Sequence, residues 1–121
     1  MDDELTLEQQ TALRAKLTTV LGELRTIFAD ETGLTDTVTL DQSAMGRVSR
    51  VDALQQQQMA QATQRRTKAR IERVAAALER FDRDPEDYSW CPDCGESIGW
   101  RRLQAVPESV FCVSCLEARG R

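Results

Sequence analysis

Two pairs of cysteines, Cys91-Pro92-Asp93-Cys94 and Cys112-Val113-Ser114-Cys115, are separated by 17 residues and are the only cysteines in the chain. Doubled Cys-x-x-Cys pairs at this separation predict a tetrahedral four-thiolate zinc site. Two residues between ligands let the chain turn so that both sulfurs of a pair point at one metal. Gly95 follows Cys94 and can take φ > 0 without Cβ strain, which so tight a turn needs. The second pair opens a polar, helix-compatible stretch, Leu116 to Arg119. Thiolates at a helix N-terminus are favoured by the dipole and by free backbone N–H groups. Arg101 and Arg102 in the intervening segment are candidates to offset the charge of four thiolates around one dication. The competing readings are two disulfides or a redox Cys-x-x-Cys, and the doubled pair is the strong form of the metal signal. With four protein ligands no position is left for water, so the metal is expected to be structural rather than catalytic.

The rest of the chain has to suit that small knot. Of 121 residues, 40% are hydrophobic but only 5% aromatic, while 30% are charged, which suits long, partly exposed helices rather than a large globular core. The net charge is −4 and the pI about 4.9. A free-standing nucleic-acid binder is usually basic, so that reading starts at a disadvantage. Asp2, Asp3 and Glu4 follow Met1, and no apolar run approaches membrane-spanning length. A cytoplasmic location is therefore expected, where thiols stay reduced and available to metal. The sequence has no His, which excludes His-dependent catalysis, and no enzymatic activity is expected.

Two segments carry helical periodicity. Leu13, Leu17, Val20, Leu24 and Ile27 alternate steps of four and three, the rhythm of a coiled-coil seam, with Leu21 and Phe28 widening the stripe. Thr32-Gly33 is read as the end of this helix. Ile71, Val74, Leu78 and Phe81 carry a second seam. Continued backwards, its rhythm meets Thr67, Gln64, Ala60, Gln57 and Ala53, so the seam turns small and polar toward the loop. Ser49-Arg50-Val51-Asp52 resembles a capping box, and Asp84 before Pro85 marks the far end of this helix. The expected fold is mainly α: an antiparallel coiled-coil hairpin over residues 1–84, followed by a four-cysteine zinc finger with a short C-terminal helix over 85–121. Thr35, Asp36, Thr37 and Thr39 are poor helix formers, so a loop over about 34–51 is expected at the tip of the hairpin. Arg65, Arg66, Lys68, Arg70 and Arg73 form a basic stripe, read as a solvated face paired with Glu residues. A zinc-ribbon nucleic-acid-binding protein that uses this stripe is the alternative function.

The segment Cys91-x-x-Cys94-Gly95-x-x-Ile98-Gly99-x-Arg101-Arg102-Leu103-x-Ala105-x-Pro107, followed by Cys112-x-x-Cys115, resembles the zinc finger of the DksA/TraR family. The acidic linker and helical hairpin before it resemble that family too, and the chain reads as a short DksA-like member. The resemblance implies a bacterial transcription regulator that binds RNA polymerase directly. It implies insertion of the coiled-coil tip into the secondary channel of the enzyme, where it modulates initiation. Such a role needs no specific contact with promoter DNA, which accounts for the acidic pI. The tip candidates are Asp41, Arg47, Arg50, Asp52 and Ala53. Val106 precedes Pro107 where alarmone-responsive members carry Arg, which argues against a response to ppGpp. A monomer is expected, with RNA polymerase as partner and zinc as structural ion.

Overall fold

The computed structural model describes residues 4–41 and 47–120, with side chains over 4–32 and 50–120. It is an antiparallel helical hairpin followed by a four-cysteine finger. The elements are α1 (Leu7–Asp41), α2 (Arg47–Arg83), α3 (Trp100–Ala105) and α4 (Val113–Arg119). Among the described residues the only β pairing is an isolated antiparallel bridge between Trp90 and Ser97, and no helix is long and apolar enough to cross a membrane.

α1 starts at a capping box. The Gln9 N–H donates to Thr6 Oγ1 and the Thr6 N–H donates to Gln9 Oε1, both at 3.0 Å, so two otherwise orphaned donors are satisfied. The helix continues past Gly33 to Asp41, and α2 begins at Arg47. The expected loop over 34–51 is thus helical over 34–41 and 47–51. Each Thr or Asp costs less than about 0.7 kcal/mol in a helix and Gly about 1, too little to stop a helix that is already nucleated. Ser49 lies inside α2 rather than at its cap. α2 ends at Arg83, where Asp84-Pro85 forbids continuation.

The chain packs as two compact units: residues up to Leu21 with Arg73–Arg121, and Gly22–Glu72. This division differs from the expected boundary at residue 84, because the base of the hairpin shares one core with the finger. In that first unit Leu13, Leu17, Leu21, Val74, Ala77, Phe81, Tyr88, Ile98 and Leu103 are buried. The Phe81 and Tyr88 rings meet edge to face at 5.4 Å, and the Arg80 guanidinium lies 4.8 Å over Tyr88. Tyr88 donates its O–H to the Pro107 carbonyl, and Lys16 donates to the Gln104 carbonyl. Arg14 forks onto both oxygens of Asp82 at 2.7 and 3.1 Å.

In the unit of residues 22–72, Leu24 and Ala53 are the buried apolar side chains among those described. The helices are joined there by polar bonds, from Gln64 Nε2 to Thr32 Oγ1 at 2.6 Å and from Thr67 Oγ1 to Glu31 Oε2 at 3.2 Å. The seam of α1 departs from the strict three-four rhythm: Leu21 is buried and Phe28 half-buried, while Ile27 is 46% exposed. A straight helix advances 3.6 residues per turn, so a 3.5 pattern drifts off the interface over several turns.

Candidate metal centre

The first cysteine pair sits in a narrow hairpin. The Cys91 N–H donates to the Glu96 carbonyl and the Ile98 N–H to the Ser89 carbonyl, both at 2.8 Å. The turn closes through the Gly95 N–H, which donates to the Cys91 carbonyl at 2.9 Å. Gly95 has φ 74°, and a Cβ built there would meet nothing within 4 Å. The backbone conformation, not space, calls for glycine. Gly99, with φ 96°, caps the start of α3.

The second pair is placed by α4. Cys112 is its N-cap residue and Cys115 lies in its first turn, with the Leu116 N–H donating to the Cys112 carbonyl at 2.9 Å. The fold brings all four sulfurs within 4.8 Å of one another. Cys94 and Cys112 Sγ are 3.7 Å apart. Metal–sulfur bonds of about 2.3 Å at tetrahedral angles separate the sulfurs by about 3.8 Å, so this pair already has the spacing that zinc requires. All four cysteines are free thiols, and 3.7 Å is far beyond a disulfide's length of about 2.05 Å.

The charges point the same way. The backbone N–H of Cys112 leads the groups that hold the Cys91 thiol down at about 6. The neighbouring Cys112 sulfur, with burial, pushes the Cys115 thiol far above its ordinary value. Backbone N–H groups thus favour one thiolate, while a neighbouring sulfur and burial hold another thiol protonated. A dication at their centre lets all four ionise together.

A cation is set against these sulfurs. That place belongs to Arg119, the last residue of α4. Its Nε and Nη2 donate to the two carboxylate oxygens of Asp93 at 2.8 and 3.0 Å, and its guanidinium lies 4.1 Å over the Phe111 ring. Asp93, with Cys115 and Cys91 adding to it, raises the Arg119 pKa above its ordinary value. The sequence reading missed this pair. Its signal was an aspartate inside the first Cys-x-x-Cys and an arginine four residues, one helical turn, after the last cysteine.

The tip candidates fare unevenly. Arg50 and Asp52 are exposed on the first turns of α2, while Ala53 is 4% exposed and packs inward. The side chains of Asp41 and Arg47 lie outside the described residues. On the basic stripe, Arg65, Arg66 and Lys68 are exposed and Arg70 half-buried. Arg66 bonds to Thr63 Oγ1 at 3.0 Å.

A family model described as the prokaryotic dksA/traR C4-type zinc finger matches residues 86–119. The RNA polymerase-binding transcription factor DksA of Haemophilus influenzae is 40% identical over 45 residues, 37% of this chain and 30% of that protein. Its Escherichia coli counterpart is 36% identical over 45 residues, 37% of this chain and 28% of that protein. These matches span less than a third of either relative. A longer likeness is to the structure of transcription factor DksA2 from Pseudomonas aeruginosa. It has a TM-score of 0.79 and 27% identity, covering 94% of this chain and 84% of that one.

Proposed function

We propose that this chain, a DksA-like member of the DksA/TraR zinc-finger family, binds bacterial RNA polymerase and modulates transcription initiation through the loop end of its hairpin. The observation that carries the reading is the likeness to DksA2 over 94% of the chain, which takes in both the hairpin and the finger. The polymerase-binding names of the curated relatives support the partner. On this reading the protein is a regulator rather than an enzyme, works in the cytoplasm beside its partner, and acts as a monomer without reading promoter sequence. The four cysteines hold one structural zinc, whose part is to fold the finger and not to do chemistry.

The mechanism is geometric and electrostatic. A hairpin made to enter the secondary channel brings polar groups to the polymerase's catalytic region. Asp52 and Arg50 are exposed where α2 begins, and Asp41 and Arg47 border the connection between the helices. An acidic group there competes for the cations and basic side chains that serve the nucleic acid, and so alters the lifetime of the open complex.

Purified polymerase in a pull-down tests the partner. Competition binding beside in vitro transcription tests the mechanism. Asp52→Asn and Asp41→Ala should still compete with the parent for polymerase while their influence on initiation falls. Failure to bind polymerase would overturn the reading. Salt-dependent binding to bare DNA, with no affinity for polymerase, would support the nucleic-acid alternative instead.

A further inference from the structure

α4 has seven residues and none of them is buried. Its apolar residues Val113 and Leu116 are 48% and 43% exposed. A helix this short does not hold together by itself in water, and it has no apolar face set into a core. What keeps α4 in place is its attachments: Cys112 and Cys115 at one end and Arg119 at the other. Arg119 reaches both carboxylate oxygens of Asp93 at 2.8 and 3.0 Å, and Asp93 stands between Cys91 and Cys94. The fork therefore ties the element carrying the second pair of sulfurs to the turn carrying the first. Phe111, next to Cys112, backs the guanidinium at 4.1 Å and limits where it can swing.

We propose that the Arg119–Asp93 fork is a latch on the metal centre, holding the two cysteine pairs together while single metal–sulfur bonds open, and so setting how fast zinc leaves. The proposal rests on the reading that the four cysteines hold zinc. Loss of a metal from four thiolates is stepwise. After the first bond opens, the freed sulfur either returns or drifts away with its helix. A tether keeps its effective concentration high and favours return. The guanidinium also faces the excess negative charge of four thiolates around a dication. Its two-pronged geometry matters as well as its charge, so lysine is not an equivalent.

The test follows zinc passing from the full-length protein to a chromophoric chelator, at low and at high salt. The variants are Asp93→Asn, Arg119→Met, Arg119→Lys and the double Asp93→Asn/Arg119→Met. Partners that orient metal ligands are worth roughly 10–100-fold in affinity when removed. Asp93→Asn and Arg119→Met should therefore each release zinc about tenfold faster, with Arg119→Lys in between. The double variant should be no faster than the singles, because each already opens the latch. Salt should speed release from the parent more than from Asp93→Asn, since it screens an exposed ion pair. Cobalt-loaded variants should keep the absorption of a tetrahedral tetrathiolate centre, so that the ligand set is unchanged. Equal release rates in all variants would overturn the proposal, as would accelerations that multiply in the double variant. Loss of the tetrathiolate spectrum in Arg119→Lys and Asp93→Asn would make the pair part of the fold rather than a latch. A parent that binds no zinc would overturn the metal reading and the latch together, whereas zinc bound tightly and released at an unchanged rate overturns the latch alone.

Discussion

Over residues 73–83, α2 buries Val74, Ala77 and Phe81, while over 50–72 the same helix buries only Ala53 to that degree. α1 shows a milder version of this contrast. Leu13 and Leu17 are 1% and 0% exposed, and Leu24 is 8% exposed. Where the apolar residues run out, Gln64–Thr32 and Thr67–Glu31 hydrogen bonds take over. The difference is one of energetics more than of geometry. A buried leucine contributes about 1.5–3 kcal/mol, whereas a side-chain hydrogen bond contributes a net 0.5–1.5 kcal/mol or so, against water that competes for it. One pair of helices can thus be firmly set in the unit that holds the finger and more weakly set in residues 22–72.

The largest effect that can break this comparison is removal of the metal site. Cys112→Ser, or zinc withdrawal by a chelator, should unfold residues 85–120, because binding energies on the order of 10 kcal/mol are folding energy in sites this small. Near-UV circular dichroism should collapse while most far-UV helical signal stays, since α1 and α2 supply it. Equal loss of both signals would show that the hairpin has no stability of its own.

Next in size are the two leucines. Leu17→Ala should cost about 3–4 kcal/mol and Leu24→Ala about 2, within the usual range for core truncations. Hydrogen exchange should show amides of residues 22–72 opening more readily than those of 7–21 in the parent, and Leu24→Asp should raise that opening further. A Leu24→Ala variant as costly as Leu17→Ala would erase the distinction.

Alkali should act on one unit through Tyr88, the single tyrosine of the chain. Burial pushes its phenol up to about 12. The folded value lies above the unfolded one, so its contribution is complete below about pH 10 and is lost as pH rises through about 12. The loss is on the order of 2–3 kcal/mol. Tyr88→Phe should flatten this part of the stability profile, and it should lower neutral-pH stability by about 1 kcal/mol through loss of the bond to the Pro107 carbonyl. Stability measured by denaturant at pH 8, 10 and 11.5 for both proteins checks the sign.

The smallest change is expected from making the polar half less polar. Gln64→Leu with Thr32→Val removes both partners of one bond and should shift stability by less than about 1 kcal/mol, with stabilisation the expected direction. A large loss would mean that the polar contact sets the pairing of the helices rather than merely tolerating it.

What the sequence determined by itself was local in origin. Ligand spacing and a glycine after Cys94 specify a turn whatever surrounds it, and Asp84-Pro85 ends a helix through the sterics of one residue. The fading of the apolar seam from Phe81 toward Ala53 was legible for the same reason, because hydrophobicity is written residue by residue. Only the tertiary structure decided which near-equivalent positions face inward. It put Leu21 in the interior and Ile27 in water, since helix phase accumulates over turns and is set by the partner helix. It also carried α1 on to Asp41, where residue preferences of a few tenths of a kcal/mol yield to the advantage of extending a formed helix. The Arg119–Asp93 fork belongs with these. Twenty-five residues separate its partners along the chain, and they meet because four sulfurs are drawn to one centre, a convergence that no local rule contains.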